Sequence, residues 1–168
     1  HEIAVTPLQM VAALSAIANG GTLMEPHITK ALMRDGEVVD RIKPKKIRRV
    51  ISKKTSQQMM EILKFVVKDG TGKNAAVEGF DVAGKTGTAQ KYITKTKSYS
   101  KTEFVSSFIG YAPADAPRLV ILVMIDNPKG VHWGSVVAAP VFREIAKKSL
   151  RYLNVPSSKE RVFILDRA

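Results

Sequence analysis

The sequence predicts an α+β fold in which antiparallel strands combine with amphipathic helices. Two apolar strands, Phe104 to Ala112 and Arg118 to Asp126, are joined by the short turn Pro113 to Pro117. A parallel crossover needs a dozen or more residues, so these strands must be antiparallel neighbours. A second hairpin, Ile28 to Val39, turns at an Asp-Gly pair. With 168 residues the chain is one domain's worth of sequence, long enough to bury a real core.

Three helices are predicted from capping signals and from apolar residues at helical spacing. The first begins at Thr6-Pro7-Leu8-Gln9, which combines a capping hydroxyl, a proline suited to the first helical position and a capping-box glutamine. The second begins at Ser52 or Thr55 and ends in the glycine-rich turn after Lys68, and the last opens at Pro140. Their predicted apolar faces are Leu8, Val11, Leu14 and Ile17, then Met59, Ile62, Leu63 and Val66, then Phe142, Ile145, Ala146, Ser149, Leu150 and Leu153.

The segments between these elements are predicted to be less regular. Val38 to Ile51 is a basic connector interrupted by proline, and Tyr92 to Thr102 is a polar, lysine-rich loop. His27 follows a proline in a predicted strand opening. Leu119 to Ile125 shows no alternation of apolar and polar residues, so both faces of that strand should be buried between layers. Residues 156–168 form a tail with a strand-like core at Val162 to Leu165.

A predicted strand from Phe80 to Gln90 carries the residues on which the site hypothesis depends. Lys85 supplies a compact positive charge, and Thr86 and Thr88 supply hydroxyl donors that can orient a carboxylate. Gly87 removes a Cβ that would hold another backbone at a distance. In an extended segment Lys85 and Gly87 face one way and the threonines the other. Such a strand edge could hold an acidic, peptide-like ligand; the alternative is a basic, glycine-rich turn.

A nucleotide-binding alternative lies in the same residues. Gly79 to Thr86 matches the phosphate-binding pattern G-x-x-x-x-G-K-[ST], and Asp126 after an apolar strand imitates a magnesium aspartate. That pattern works only when a strand precedes the loop and a helix follows it. The preceding segment, Lys73 to Gly79, is polar and small, and Gln90 to Lys101 has no apolar repeat at helical spacing. Context therefore disfavours a nucleotide site.

Composition limits the remaining function classes. The formal net charge is +12, but no aromatic residue interrupts the basic run Arg41 to Lys54, which favours a solvated face, or one near anionic lipid or wall polymer, over nucleic acid. The chain contains no cysteine, which excludes disulfides and zinc-cysteine sites. His132 and Ser135 are loop neighbours, and we interpret their proximity as incidental rather than as a base and nucleophile. The chain starts at His1 rather than Met, so we expect it to begin inside a longer protein.

The order of elements resembles the C-terminal part of the transpeptidase domain of class B penicillin-binding proteins. The resemblance spans about Ile3 to Val155 and depends on the Thr6-Pro7-Leu8-Gln9 helix start, the Gly70-Thr71-Gly72 turn, Lys85-Thr86-Gly87-Thr88 and the paired strands. Its more specific stretches are Phe104 to Pro113 and Ala139 to Phe142.

The resemblance implies a D,D-transpeptidase that crosslinks peptidoglycan stem peptides and binds β-lactams. The family's chemistry needs the motifs Ser-x-x-Lys, Ser-x-Asn and Lys-Thr/Ser-Gly. Only the third motif is present at its expected place in the order. Ser98 to Lys101 fits the first pattern, but this segment follows the third motif instead of preceding it. By carry-over, Lys85 supplies positive potential, Thr86 and Thr88 contact the terminal carboxylate of the stem or β-lactam, and Gly87 leaves room for it. The backbone N–H of Thr88 is the implied oxyanion donor.

The resemblance also carries expectations about architecture and setting. It implies an antiparallel sheet with helices on both sides over residues 1–155, completed by strands of the upstream half of the same domain. The strand Arg118 to Asp126 would then be an open edge in this chain. It further implies no cofactor or metal, an extracytoplasmic (periplasmic) location with an N-terminal membrane anchor outside this sequence, and membership of a cell-wall synthesis complex. Division, elongation and sporulation remain open as roles, as does a non-catalytic binding or structural fragment.

Overall fold

The computed structural model describes residues 3–158, and the tail segment predicted at Val162 to Leu165 lies outside them. Helices and strands follow one another along the chain without a repeating order. The helices are α1 (Pro7–Ala18), α2 (Lys53–Lys68), α3 (Gly134–Val137) and α4 (Ala139–Tyr152), with a 3₁₀ turn at Lys73–Ala75. The strands are β1 (Thr22–Met24), β2 (Ala31–Arg34), β3 (Glu37–Arg41), β4 (Lys46–Arg49), β5 (Ala83–Ile93), β6 (Ser98–Ala112) and β7 (Leu119–Asp126).

Strands β5, β6 and β7 form the central sheet, and both pairings are antiparallel. The structure therefore confirms the α+β class and the antiparallel pairing expected from the short turn after Ala112. In the part of the chain that the structure describes, β7 is one edge of this sheet and β5 the other. Two smaller two-stranded sheets, β1 with β4 and β2 with β3, lie outside it.

Helices cover the two faces of the central sheet. On one face Phe108 of β6 meets Phe142 of α4 edge to face, at 4.7 Å between ring centroids, in a cluster that includes Val123. On the other face Leu14 of α1 and Tyr111 of β6 belong to a second cluster. Because successive strand residues point to opposite faces, β6 contributes to both clusters. The layered arrangement confirms the sequence-based expectation of helices on both sides.

The helix starts are confirmed in detail. Thr6 accepts a hydrogen bond from the backbone N–H of Gln9 at 3.2 Å, and the Gln9 side chain accepts from the N–H of Thr6 at 2.8 Å. Ser52, not Thr55, caps α2 by accepting from the N–H of Thr55 at 3.0 Å. Each cap satisfies amide groups that the first helical turn leaves without partners. The capping hydroxyls of Thr6 and Ser52 therefore mark the starts of α1 and α2.

The predicted apolar faces are correct at their centres and wrong at several flanking positions. Buried residues include Leu14 on α1, Leu63 on α2, and Phe142, Ala146 and Leu150 on α4. The prediction is wrong for Ile62, whose side chain is 58% exposed. The buried face of α2 instead runs through Ser56, Leu63 and Val67. The apolar residues predicted inward but largely exposed are Leu8, Ile62, Ile145 and Leu153.

Burial of β7 is less complete than predicted. Val123 is buried, and Leu119, Ile121 and Ile125 pack partly against the same cluster. On the opposite face Val120 contacts the second cluster, whereas Met124 is 43% exposed. Both faces of the strand are therefore covered near its start, but the second face is open near its end.

Two predicted loops contain strands. The basic connector includes β4, which pairs with β1, and its residues are exposed, so no burial pattern marks it in the sequence. The polar loop after Gln90 is instead a continuation of the hairpin, because Tyr92 on β5 pairs with Tyr99 on β6 and their rings meet edge to face at 5.4 Å. Strand β5 also begins at Ala83 rather than Phe80, and His27 lies between β1 and β2 rather than at a strand start.

The hairpin β2–β3 is confirmed, and its turn residues explain it. Asp35 and Gly36 have φ of 51° and 83°. Two successive positive φ values are typical of the tight hairpin turn that Asp-Gly sequences favour. Searched over residues 3–158, no helix has both the length and the apolar character needed to cross a bilayer.

Candidate active site

The candidate site lies on the open side of β5. Lys85 of β5 pairs with Ile109 of β6, and the backbone groups of alternate residues point toward and away from the partner strand. The Lys85 ammonium donates to the carbonyl oxygen of Thr86 at 2.9 Å, which places that carbonyl on the open side. The N–H of Thr88, two residues on, points to the same side. The segment thus offers a backbone donor and a cation along one edge.

A cluster of one ammonium and two hydroxyls forms around Thr86. The Thr86 hydroxyl is 2.9 Å from the hydroxyl of Thr71, in the turn after α2, and 3.3 Å from the Lys85 ammonium. The simple alternation predicted Lys85 and Thr86 on opposite faces. This prediction is wrong for the ammonium, because the long lysine side chain bends back around the strand edge. Thr71 is a site residue that the sequence reasoning placed only in a helix-ending turn.

No acidic side chain among the described residues neutralises Lys85. Lys91, on the same strand, forms an ion pair with Asp126 at 2.9 Å, and the hydrogen bond to Asp126 raises the pKa of Lys91. Within residues 3–158, Lys85 forms no such pair. Its charge is therefore available to an anionic ligand at the edge of β5, where the side chain is exposed.

Thr88 is held by the segment that follows β7. The N–H of Gly134 donates to the Thr88 hydroxyl oxygen at 3.1 Å. Gly134 is buried against the carbonyl oxygens of Gly87 and Ser107, and a Cβ on Gly134 would clash with both. Only glycine can pass this close to the sheet. The close approach was missed from the sequence, where Gly134 is one small residue in a loop.

Gly87 faces the Ser107 hydroxyl on β6. A Cβ at this position would lie 2.5 Å from the Ser107 hydroxyl oxygen, closer than real Cβ contacts allow. A side chain at this position would therefore displace the Ser107 hydroxyl, and the room for a ligand that the sequence analysis expects of Gly87 remains a prediction.

Aromatic side chains border the site beyond Thr88. The His132 imidazole stacks on Phe104 with ring centroids 3.9 Å apart and planes inclined by 6°. Trp133 follows at 4.8 Å from His132, and it is 58% exposed. Ser135 contributes its carbonyl oxygen to Asn74, which donates from its side-chain amide at 2.8 Å. These contacts pack the His132 ring against Phe104 and Trp133, and the interpretation of its proximity to Ser135 as incidental remains a prediction.

The nucleotide-binding alternative is wrong. After Lys85 and Thr86 the chain continues as β5 to Ile93, where a phosphate loop would open a helix. Before them, Val77 and Phe80 form an isolated bridge in a tight turn rather than a strand. The four-residue helix α3 begins beside Thr88 with Gly134, but it comes from the segment after β7 and not from the residues that directly follow Lys85 and Thr86, as a phosphate loop requires.

Comparisons with known proteins agree with this geometry. The family described as penicillin binding protein transpeptidase domain matches residues 3–147. Stage V sporulation protein D of Bacillus subtilis is 46% identical over 163 residues, covering 95% of this chain and 25% of that protein. Penicillin-binding protein PbpB of Mycolicibacterium smegmatis is 40% identical over 168 residues, covering 94% of this chain and 26% of that protein. The chain spans about a quarter of the length of these curated relatives.

Solved structures give the same result. Penicillin binding protein 3 from Mycobacterium tuberculosis, complexed with ampicillin, superposes with a TM-score of 0.81 at 39% identity, covering 92% of this chain and 36% of that one. The same protein complexed with aztreonam gives a TM-score of 0.80 at 38% identity, with the same coverage. The chain belongs to the penicillin-binding protein transpeptidase domain family, of which it is a C-terminal part.

Proposed function

We propose that this chain is the C-terminal part of a peptidoglycan D,D-transpeptidase that crosslinks stem peptides through a serine acyl-enzyme. One observation carries the proposal: a member of this family presents an unpaired lysine, two threonine hydroxyls and a free backbone N–H along one open strand edge. A ligand with a carboxylate next to an extended peptide matches that set, because the ammonium and hydroxyls can bind the anion while the strand binds the backbone.

The site residues have separate roles in this proposal. Lys85 supplies positive potential, and the Thr86 and Thr88 hydroxyls donate to the terminal carboxylate of a stem peptide or a β-lactam. The N–H of Thr88 donates to the oxygen that becomes negative when the scissile carbonyl is attacked. Gly87 keeps the edge free of a side chain at the centre of the site.

The covalent chemistry is assigned to a serine in the upstream part of the parent protein. Its hydroxyl oxygen attacks the carbonyl carbon between the two D-alanines, its proton passes to a base, and the C–N bond breaks as the terminal D-alanine leaves as a protonated amine. An amine of a second stem then attacks the ester, forms the crosslink and restores the serine. A β-lactam ring opens in the first step and leaves a slowly hydrolysed ester.

The Ser-x-x-Lys match at Ser98 does not supply this nucleophile in our proposal. It lies at the start of strand β6, not at a helix start. Ser100 of the same segment is buried, and its hydroxyl oxygen accepts from the N–H groups of Thr102 and Glu103 at 3.2 Å and 3.0 Å. The resemblance implies that the nucleophile opens a helix that shields and orients its lysine, and Ser98 and Lys101 lie on strand β6 instead.

Further parts of the proposal concern the parent protein. We place it at the extracytoplasmic face of the bacterial cytoplasmic membrane, in a cell-wall synthesis complex, with the upstream half of the domain as the partner that completes the cleft. The solved complexes of a relative with ampicillin and aztreonam support β-lactam binding. The second candidate function is a binding or structural fragment without catalysis. The only observation in its favour is that this chain lacks the first two family motifs at their expected places.

Labelling of the full-length parent protein with a fluorescent penicillin tests the proposal. We expect one label per protein that survives denaturation and is blocked by prior treatment with ampicillin. As a control, a protein unfolded before treatment should remain unlabelled. A correctly folded parent that takes up no covalent label would overturn the transpeptidase function and leave the non-catalytic alternative.

A further inference from the structure

Two hydrogen bonds tie one short segment to a single pair of facing residues in the sheet. Thr88 of β5 and Ser106 of β6 are direct partners in the antiparallel register. The Ser106 hydroxyl donates to the carbonyl oxygen of His132, and the N–H of Gly134 donates to the Thr88 hydroxyl oxygen. The segment 132–134 therefore crosses the sheet over this pair, attached once to each strand. We call this segment the crossing segment.

Ser106 is buried more deeply than an ordinary strand serine. Its exposed fraction is 0%, and its hydroxyl belongs to neither of the apolar clusters. A buried hydroxyl is costly unless it is hydrogen-bonded, and the His132 carbonyl supplies the partner. Nothing in the proposed chemistry uses Ser106 directly, so its buried polar group needs another explanation.

The neighbouring pair fixes how closely the crossing segment lies on the sheet. Gly134 contacts the backbone oxygens of Gly87 and Ser107, the next facing pair along the strands. His132 is held from the side by its stacking on Phe104. These contacts hold the His132 ring and Gly134, whereas the Ser106 hydroxyl holds the His132 carbonyl itself, so loss of that hydrogen bond would release the carbonyl and let the backbone between His132 and Gly134 shift relative to β6. The N–H of Gly134, two residues on, would then move relative to Thr88.

The orientation of the Thr88 hydroxyl depends on that N–H. A threonine hydroxyl has one proton to donate and two lone pairs to accept with. The Gly134 N–H uses the acceptor side at 3.1 Å, which leaves the proton free to point elsewhere. A hydroxyl that already accepts a hydrogen bond is also a stronger donor, because neighbouring hydrogen bonds polarise one another. Thr88 is thereby prepared to donate to an anion at the open edge.

We propose that Ser106 is a positioning residue that sets the preference of the site for ligands with a free terminal carboxylate, acting through the crossing segment on the Thr88 hydroxyl. The inference depends on the proposed function, because it assigns Thr88 to carboxylate recognition. Ser106 itself touches no ligand in this arrangement. Its effect must therefore appear in ligand selectivity, and it must require the hydroxyl of Thr88.

The test compares two ligands on the full-length parent protein. One is a stem peptide ending in D-Ala-D-Ala with a free carboxylate, and the other is the same peptide with a C-terminal carboxamide. We expect Ser106→Ala to slow acylation by the carboxylate peptide about tenfold, as for a lost hydrogen bond to a charged group. Acylation by the carboxamide peptide should change less than about twofold, so the selectivity ratio falls.

Ser100→Ala is the matched control, because Ser100 is also a buried, hydrogen-bonded serine on β6. It should leave the selectivity ratio unchanged. In a Thr88→Val background, Ser106→Ala should have no further effect on either ligand, since the hydroxyl through which it acts is gone. If Ser106→Ala does not fold, Ser106→Cys keeps the volume with a weaker donor and should lower the ratio in the same direction.

The outcomes separate this inference from the proposed function. A wild-type parent that neither ligand nor a fluorescent penicillin acylates defeats the proposed function itself. An acylated wild type whose two ligands respond equally to Ser106→Ala, or whose Thr88→Val background keeps the full Ser106 effect, overturns the positioning role. Equal ratios for the Ser106 and Ser100 variants would overturn it as well.

Discussion

Lys85 is the residue whose removal should affect the proposed reaction most simply. In the complete parent, we expect Lys85→Ala to slow acylation by a β-lactam by about tenfold or more, since a hydrogen bond to a charged group contributes about 1.5–3 kcal/mol. Lys97→Ala is the matched control, because Lys97 lies in the exposed turn between β5 and β6 and an exposed charge contributes well under about 1 kcal/mol. Acylation rates of both variants measure the difference. Equal rates would contradict the placement of the cleft at the edge of β5.

Tyr111 gives a prediction about stability. Its side chain is 1% exposed, and its hydroxyl has no hydrogen-bond partner among the described residues. We expect Tyr111→Phe to leave the free energy of unfolding unchanged or raise it by about 1 kcal/mol, because an unsatisfied buried hydroxyl is removed. Urea denaturation at neutral pH measures this. A loss of more than about 1 kcal/mol would show that the hydroxyl has a stabilising partner.

The same residue predicts how stability changes at alkaline pH. Burial, with a smaller contribution from the negative charge of Glu61, raises the pKa of Tyr111 to about 12. Between the ordinary tyrosine value of about 10 and this raised value, the unfolded chain loses the proton and the folded chain keeps it. The contribution of this protonation equilibrium to the free energy of unfolding is therefore fully present below about pH 10 and is lost as the pH rises toward the folded-state pKa of about 12. Tyr111→Phe should lack this part of the alkaline loss.

Single residues also show what sequence reasoning can and cannot predict about a site. The sequence analysis named Lys85, Thr86, Gly87 and Thr88 as site residues because they are adjacent in the chain. Their charge, hydroxyls and missing Cβ can be recognised in one short motif. Thr71 and Gly134 were missed because each reaches the site from a distant element, through a hydroxyl contact and a close backbone approach respectively. Neither has a local pattern that distinguishes it from an ordinary turn residue.

At the scale of elements, prediction succeeded where caps or apolar residues give a strong local signal and failed where the residues of a strand are polar and exposed. The capped helices α1 and α2 and the strand β7 carry strong local signals, and all three were predicted close to their bounds. All residues of strand β4 are exposed, so no buried position marks it as a strand. Its basic side chains therefore led to the prediction of an irregular connector. The hairpin beyond Gln90 was missed because its polar residues pair with each other rather than with the core.

The open edge of β7 predicts association. In the described part of the chain no strand pairs with β7 on its outer side, and the strand carries no charge between Leu119 and Ile125. An uncharged, apolar edge is a template for pairing with another chain. We expect the isolated chain to self-associate through β7, unless the upstream half of the domain occupies the edge. Sedimentation over a range of concentrations measures this.

Two lysine substitutions distinguish strand pairing at the edge of β7 from nonspecific hydrophobic association. Met124→Lys adds a charge to β7, at a side chain that is 43% exposed, and should weaken association several-fold. Val141→Lys adds the same charge at 42% exposure on α4 and should have little effect. A monomeric wild-type chain whose amides exchange rapidly along β7 would show that the edge is tolerated.

At the scale of the whole molecule, our proposal makes this chain one side of a cleft that the upstream half of the domain completes. It spans about a quarter of its curated relatives. Its sequence contains no Ser-x-Asn motif, and its Ser-x-x-Lys match at Ser98 follows the Lys-Thr-Gly motif instead of preceding it. We expect the purified chain to remain unlabelled by a fluorescent penicillin after denaturation, because loss of the nucleophile removes most of the rate of such a catalytic unit. The full-length parent serves as the positive control. Stoichiometric labelling of the isolated chain would show that one of its own serines is competent.

The hairpin β2–β3 gives the molecule a place to carry an added reporter. It forms its own two-stranded sheet, separate from the sheet that holds the candidate site, and a Cβ on Gly36 at its turn would meet nothing within 4 Å. Loop tips of this kind accept insertions because their backbone supports no other element. A fluorophore or affinity tag at this turn would report on the location and assembly of the parent protein while the strand edge that we propose as the ligand site stays intact.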